Sequence, residues 1–320
     1  MSYEYVIALI GIFRYFRPVK LKDMEFGRLE ESELRHIDFT LPGEPASNKI
    51  VLTGKPVRNP GVYVGCAKWG REEWVGKIYP SNTRERSFLK HYVEHFNAIE
   101  LNVTHYKIYG EPGIRRWADK AKNKDFLFCP KMYQGLTHRG TLDGRHPLLN
   151  EFFRGIVAFE EHLGPIFVQF NDTFSPKRKQ QLFNFLSYFP KDLQFFLEVR
   201  HPGWFAKMSE WEDLLSYLRD NNMGAVITDS AGRRDCAHMY LTIPKAFIRF
   251  VGNSLHPTDF TRIDDWVKRL KYWLNNGLKE LFFFVHMHDE ATSPELALYL
   301  VDRINKECNL ELKKPQFIET

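Results

Sequence analysis

The sequence predicts a TIM-like (β/α)8 barrel preceded by an N-terminal extension, and three observations carry that expectation. Eight β-branched and aromatic runs recur at even spacing, helical stretches with start signals of their own separate them, and seven of the eight runs carry a polar or ionisable side chain at or near their carboxyl end. The runs are Val62–Cys66, Ala98–Asn102, Phe126–Lys131, Ile166–Phe170, Phe195–Val199, Ala225–Asp229, Phe247–Val251 and Leu281–Met287. The first starts at 62 and the last at 281, so 219 residues cover seven steps of about 31. That is the length of a strand, a helix and two loops, and eight such units make a parallel barrel.

The intervening helices announce their own beginnings. Ser209 with Glu212 and Thr261 with Asp264 stand at capping-box spacing, while Ser175-Pro176 and Ser293-Pro294 place proline at the first helical position. In the seventh connection Ile263, Trp266, Val267, Leu270, Trp273 and Leu274 recur at helical spacing, and Gly277 is the expected stop. Such a stripe is a buried helix face, so its tryptophans are expected in the core.

Residues 1–60 form the extension and linker, and residues 61–320 the barrel. The stretch Thr40 to Gly61 holds Pro42, Pro45, Pro56 and Pro60 and reads as an extended arm. Met24-Glu25-Phe26-Gly27 is a plausible polar start, which leaves residues 1–23 as either an upstream mis-start or a small appended segment. The longest clean apolar run, Tyr5 to Phe13, is well short of the roughly 20 residues of a membrane-spanning helix. Glu4 precedes it and Arg14 to Lys20 follows without a small-residue cleavage site, so neither a signal peptide nor a membrane protein is expected and a cytoplasmic location is. Four cysteines stand far apart with no C-x-x-C pair, consistent with free thiols in a reducing compartment. The balance of 45 basic against 40 acidic side chains, net +5, mildly favours an anionic ligand.

A parallel barrel places its active site at the carboxyl ends of its strands, so the polar residues that end apolar runs carry the functional expectation. Period-two reading aims Glu100 with Asn102, Lys131 with Cys129, Gln169 with Phe167, Glu198 and Arg200 with Phe196, Asp229 with Ile227, Arg249 with Phe247, and His286 and His288 with Phe284. Basic loops surround them: Lys68, His138-Arg139, His201 and Arg233-Arg234. Arginine suits a bidentate grip on phosphate or carboxylate, and the expected guest is a small anion. Glu198-Val199-Arg200-His201-Pro202-Gly203-Trp204 is the densest candidate for acid/base work. The expected catalytic set is Glu198, His201, Glu100 and Asp229, with Glu198 as general base if burial raises its pKa. Asn102, Lys131, His138, Gln169, Arg200, Trp204, Arg233, Arg249 and His286 are the expected substrate-binding set.

Other readings of these residues remain open. The three carboxylates and three cations also suffice to close the barrel top on one another as a paired network. Glu100, Glu198, Asp229 and His286 have the ligand types of a divalent metal site in a hydrolase or isomerase, and Cys66, Cys129 and Cys236 those of a soft one. Trp69, Trp74, Tyr106 and Trp204 beside basic loops would suit single-stranded nucleic acid. No P-loop, G-x-S-x-G, H-E-x-x-H or dinucleotide fingerprint is present, so no cofactor is expected.

Gly65-Cys66-Ala67-Lys68-Trp69, Trp74 through Pro80, and His95 through Asn102 with Thr104 and Tyr106 together resemble the YecE-like family, the domain of unknown function seventy-two. Phe128-Cys129-Pro130-Lys131 with Thr137-His138, Leu163-Gly164-Pro165 with Gln169-Phe170, Glu198 through His201 with Trp204, and Asp229 are similar to its later blocks. The resemblance covers about residues 61 to 305. It implies a TIM-like barrel and no assigned reaction. Many relatives have an Asn-Asn pair after the last strand, where this chain has His286-Met287-His288-Asp289-Glu290.

Overall fold

A computed structural model of the chain describes residues 26–318. The set-apart residues 1–23, with the apolar run Tyr5 to Phe13, lie outside them. Eight strands appear where the spacing placed them, with ends shifted by at most two residues. They are β1 (Gly61–Cys66), β2 (Ala98–Leu101), β3 (Leu127–Pro130), β4 (Ile166–Gln169), β5 (Phe195–Glu198), β6 (Gly224–Asp229), β7 (Lys245–Gly252) and β8 (Glu280–Met287). They pair in the order β3-β2-β1-β8-β7-β6-β5-β4, and each of these pairings is parallel. A bridge between Lys131 and Phe167, with the Met132 amide donating to the Phe167 carbonyl at 2.8 Å, joins β3 to β4 and completes the TIM-like barrel.

Around it lie α1 (Glu31–Leu34), α2 (Phe88–His95), α3 (Val103–Tyr106), α4 (Glu111–Ala121), α5 (Gln134–Thr137), α6 (His146–Ile156), α7 (Lys179–Leu186), α8 (Gly203–Ala206), α9 (Met208–Asp220), α10 (Pro257–Asn275) and α11 (Ser293–Cys308). No described helix is long and apolar enough to cross a membrane. The apolar stripe of α10 is buried as expected, and Gly277 follows at φ +109°. Two start signals were misplaced. α9 begins at Met208 and α10 at Pro257, so Ser209 and Thr261 lie inside their helices. For α10 the His256 ring accepts from the Thr258 amide and Pro257 supplies the preset φ, which outcompetes a threonine one turn later.

Two apolar layers follow from the strand alternation. Side chains facing outward pack under the helices. Those facing inward form a mostly aromatic plug: Phe167, Phe196, Phe247, Phe282 and Phe284, with Ala98, Cys129 and Val226. Phe247 sits at the centre, with ring centroids 5.6 Å from Phe167, 5.3 Å from Phe196 and 5.0 Å from Phe284. The plug fills the lower barrel, so polar side chains collect only in the layer above it.

β6 departs from the expected phase. Its inward residues are Val226 and Thr228 rather than Ile227 and Asp229, as the packing of Val226 in the plug and a 3.1 Å bond from Thr228 Oγ1 to Glu198 show. Gly224 explains the choice: a Cβ there would lie 2.1 Å from the Phe196 ring, so this end of the strand must present a glycine inward.

The proline-rich stretch runs as a strap over the barrel. Glu44 accepts from Arg269 and from the Trp273 indole, both at 2.9 Å, and Asn48 bonds the Met239 carbonyl and the Leu241 amide at 2.9 and 2.8 Å. The Leu241 amide lies just beyond His238, whose Nδ1 accepts from the Tyr240 amide at 3.1 Å, leaving Nε2–H to donate to the Val226 carbonyl at 3.0 Å. Burial lowers this ring from its ordinary 6.5 to about 4. The unfolded chain therefore takes up the proton first, and the contribution is full above pH 6.5 and lost as pH falls toward 4. Chemical denaturation between these limits is expected to show stability falling by up to about 1.4 kcal/mol per pH unit from His238. His238→Asn should remove that share of the slope, and an unchanged slope would show that His238 does not carry it.

Candidate functional site

Above the aromatic plug, one guanidinium spans the barrel. Arg249 of β7 donates through Nε and Nη2 to both oxygens of Glu100 on β2, at 2.8 and 3.1 Å, and through Nη1 to Glu198 on β5 at 3.2 Å. Arg200 Nε reaches the other Glu198 oxygen at 2.8 Å, and Thr228 donates to that same oxygen. Glu100 also receives Asn102 Nδ2 at 3.0 Å and stands 3.0 Å from His286 Nε2. Lys131 completes the layer, its ammonium 5.5 Å from the Phe167 ring centroid. All of these acidic and basic side chains except His286 are buried. Strand phase brings them together, since Glu100, Lys131, Glu198, Thr228, Arg249 and His286 each stand two residues beyond a plug residue and Asn102 and Arg200 two further along the same face.

Opposing forces act on the two carboxyls. Burial pushes both upward, but for Glu198 the charges of Arg200, Arg249 and Lys131 outweigh it and hold the group below the usual range. For Glu100 burial is opposed by Arg249 and His286, and the carboxyl ends well below. Both are therefore carboxylates at neutral pH. The condition under which Glu198 was expected to be a general base, a raised pKa, is reversed by its partners.

A cavity of about 170 Å³ opens over this layer, lined by Lys68, Asn102, Lys131, Arg200, Arg249 and His286, with Phe26, Tyr106, His288 and Glu290 among its other walls. Five of the expected site residues lie outside this layer and its cavity. Asp229 faces α10, where it is bound by Arg262 at 2.9 Å, by the Trp266 indole at 2.7 Å and by Arg234. The slip in β6 turns it away from the mouth. Trp204 is fully buried and donates its indole N–H to the Phe174 carbonyl at 2.8 Å, which makes it a core residue. His201 accepts the Gly203 amide on Nδ1 at 2.9 Å and so caps α8 instead of lining the cavity. His138 and Arg233 line a second cavity beside the first, and Arg233 is paired with Asp235 at 2.8 and 2.9 Å. Gln169 is buried on β4 in register with Glu198, and neither amide atom has a hydrogen-bonding partner among the described residues.

The metal and nucleic-acid readings find little support in this geometry. With Asp229 turned outward and both Glu198 oxygens engaged by arginine, no three His, Cys, Asp or Glu side chains gather as a metal set among the described residues. The cysteines do not converge either: Cys66 faces the outer core and Cys129 the inner plug. Of the aromatic set for nucleic acid, Trp74 and Trp204 are fully buried with their indole N–H groups on backbone carbonyls, and Trp69 packs edge-on to Trp117.

A family model described as "Protein of unknown function DUF72" matches residues 63–317. The chain belongs to the DUF72 family. Among curated DUF72 relatives, the UPF0759 protein YecE of Escherichia coli (strain K12) is 28% identical over 263 residues, spanning 77% of this chain and 93% of that protein. The UPF0759 protein YunF of Bacillus subtilis (strain 168) is 26% identical over 165 residues, 49% of this chain and 57% of that protein. A crystal structure of a DUF72 family protein from Enterococcus faecalis V583 superposes with TM-score 0.60 at 17% identity, covering 81% of this chain and all of that one. That likeness shows the barrel fold.

Sequence reading missed Phe26, Thr228 and Glu290 at the DUF72 mouth. Gly224, opening β6, was the available signal for Thr228. Nothing local marks Phe26 or Glu290, whose positions depend on loop geometry. Asp229→Ala should leave Arg262 with Asp259, at 3.3 Å, as its remaining buried carboxylate partner and destabilise the protein by about 3 kcal/mol in urea unfolding. Lys268→Ala, which breaks the exposed pair with Asp265, should cost less than about 1 kcal/mol. Equal losses for the two would refute a structural role for the Asp229 cluster.

Proposed function

We propose that the DUF72 mouth binds a small phosphate- or carboxylate-bearing molecule and performs proton transfer on it, with His286 as the acid/base group. The observation that carries this reading is the buried layer in which Glu100 and Glu198 orient Arg249 and Arg200 toward one cavity that Lys131 also lines. Glu100 and Glu198 fix the guanidinium planes of Arg249 and Arg200, so the cationic edges are set before a guest arrives and little ordering remains to be done on binding. Among the described residues the layer sets Lys131, Arg200 and Arg249 beside Glu100 and Glu198, and Lys68 and Glu290 line the same cavity.

Glu198 serves here as an orienting group rather than as base, because a carboxylate held below its usual pKa by two arginines is a weak proton acceptor at neutral pH. His286 is better placed. Glu100 is ionised and only accepts, so His286 Nε2 carries the proton of their 3.0 Å bond and Nδ1 is the basic atom of the neutral ring. The neighbouring carboxylate fixes the tautomer and orientation of the ring, the division of labour seen where a carboxylate supports a catalytic histidine.

Calorimetric titration of the full chain with inorganic phosphate and with oxalate tests the binding half. Saturable binding that weakens with salt is expected, and Lys131→Met should weaken it at least about tenfold, the worth of one charge-assisted contact. Failure of both anions to bind at low salt, or an unaffected Lys131→Met variant, would overturn the assignment. For any anionic substrate found by screening, His286→Gln should lower turnover by about a hundredfold or more.

A further inference from the structure

We propose that Phe26 is a size filter of the mouth, a partition seated by a glycine clasp that confines the guest of the cationic cavity to a compact anion. This rests on the anion-binding reading above and adds the class of substrate admitted. Phe26 and Arg200 are the residues shared by the 170 Å³ cavity and an adjoining one of about 630 Å³, whose other walls include Arg28, His138, Asn171 and Arg233. The Phe26 ring centroid lies 4.0 Å from the guanidinium carbon of Arg200 and 5.0 Å from that of Arg233, so the ring is held at the boundary by cation–π contacts.

The backbone that carries this ring is fastened to the loop after β6. Ser230 Oγ lies 3.2 Å from the Phe26 carbonyl and 3.0 Å from that of Gly27, and the Gly232 amide donates to the Gly27 carbonyl at 2.8 Å. Glycine is required on one side and favoured on the other. Gly27 has φ +72°, and a Cβ there would stand 1.9 Å from Ser230 Oγ, while a Cβ on Gly232 would meet the Gly27 carbonyl at 3.0 Å. The anchor itself is rigid, because Ser230 follows Asp229, which Arg262 and Trp266 lock to α10. Residues 26 and 27 precede the residues matched by the family model, 63–317, so the filter lies on a segment outside the shared DUF72 barrel.

Affinities of the full chain for inorganic phosphate and for glucose 6-phosphate, measured by calorimetry, test the filter. A hexose phosphate needs room on both sides of the partition. The unaltered chain should favour inorganic phosphate. Phe26→Ala should shift the affinity ratio at least tenfold toward glucose 6-phosphate, and Gly27→Val, which unseats the clasp while leaving all barrel residues unchanged, should do the same. Phe26→Trp should keep the original ratio. A ratio that stays constant or falls in both Phe26→Ala and Gly27→Val overturns the filter and leaves the anion-binding reading standing. Absence of phosphate binding in every variant removes that reading and the filter with it.

Discussion

Arg249 is the interaction on which the rest of the mouth depends. Its guanidinium joins β7 to β2 and β5 across the barrel and supplies the counter-charge for two buried carboxylates at once. Taking such charges out of water is unfavourable by several kcal/mol per ion, and it is offset only where geometry and hydrogen bonding are good. Here three bonds from one side chain reach three of the four carboxylate oxygens, Arg200 and Thr228 serve the fourth, and Asn102 and His286 add bonds to Glu100. The aromatic plug beneath excludes water from below, so the local dielectric is low and each of these contacts is stronger than it would be at a surface.

The barrel uses buried charge twice, for different ends. The inner cluster faces a cavity and, among the described residues, sets three cations beside two carboxylates. The outer one, Asp229 with Arg262, Arg234 and Trp266, lies between β6 and α10. It holds the longest helix to the sheet and steadies the loop on which the N-terminal segment is seated. One residue of strand phase separates the two roles. Had Asp229 pointed inward, the described residues of the layer would have set three carboxylates beside three cations.

The architecture was legible because it rests on two periodicities that local sequence expresses directly: a repeat of about 31 residues and alternation along each strand. All eight strands and the inward orientation of Glu100, Lys131, Gln169, Glu198, Arg249 and His286 follow from these. β6 failed because Gly-Ala-Val-Ile-Thr-Asp is buried on both faces and carries no alternation to read. Trp204 failed because an indole satisfies either a core or a mouth, and only the Phe174 carbonyl distinguishes them.

The sequence by itself determined which residue types stand at the carboxyl ends of the strands, because strand period and spacing are local properties. Tertiary structure alone decided their ionisation and their company. Burial and ion pairing push the Glu198 carboxyl in opposite directions, and the sign of the result depends on Arg200 and Arg249 lying 2.8 and 3.2 Å away. The placing of Phe26 over Arg200 depends likewise on a clasp between residues about 200 positions apart in the chain, a closure that no local pattern encodes.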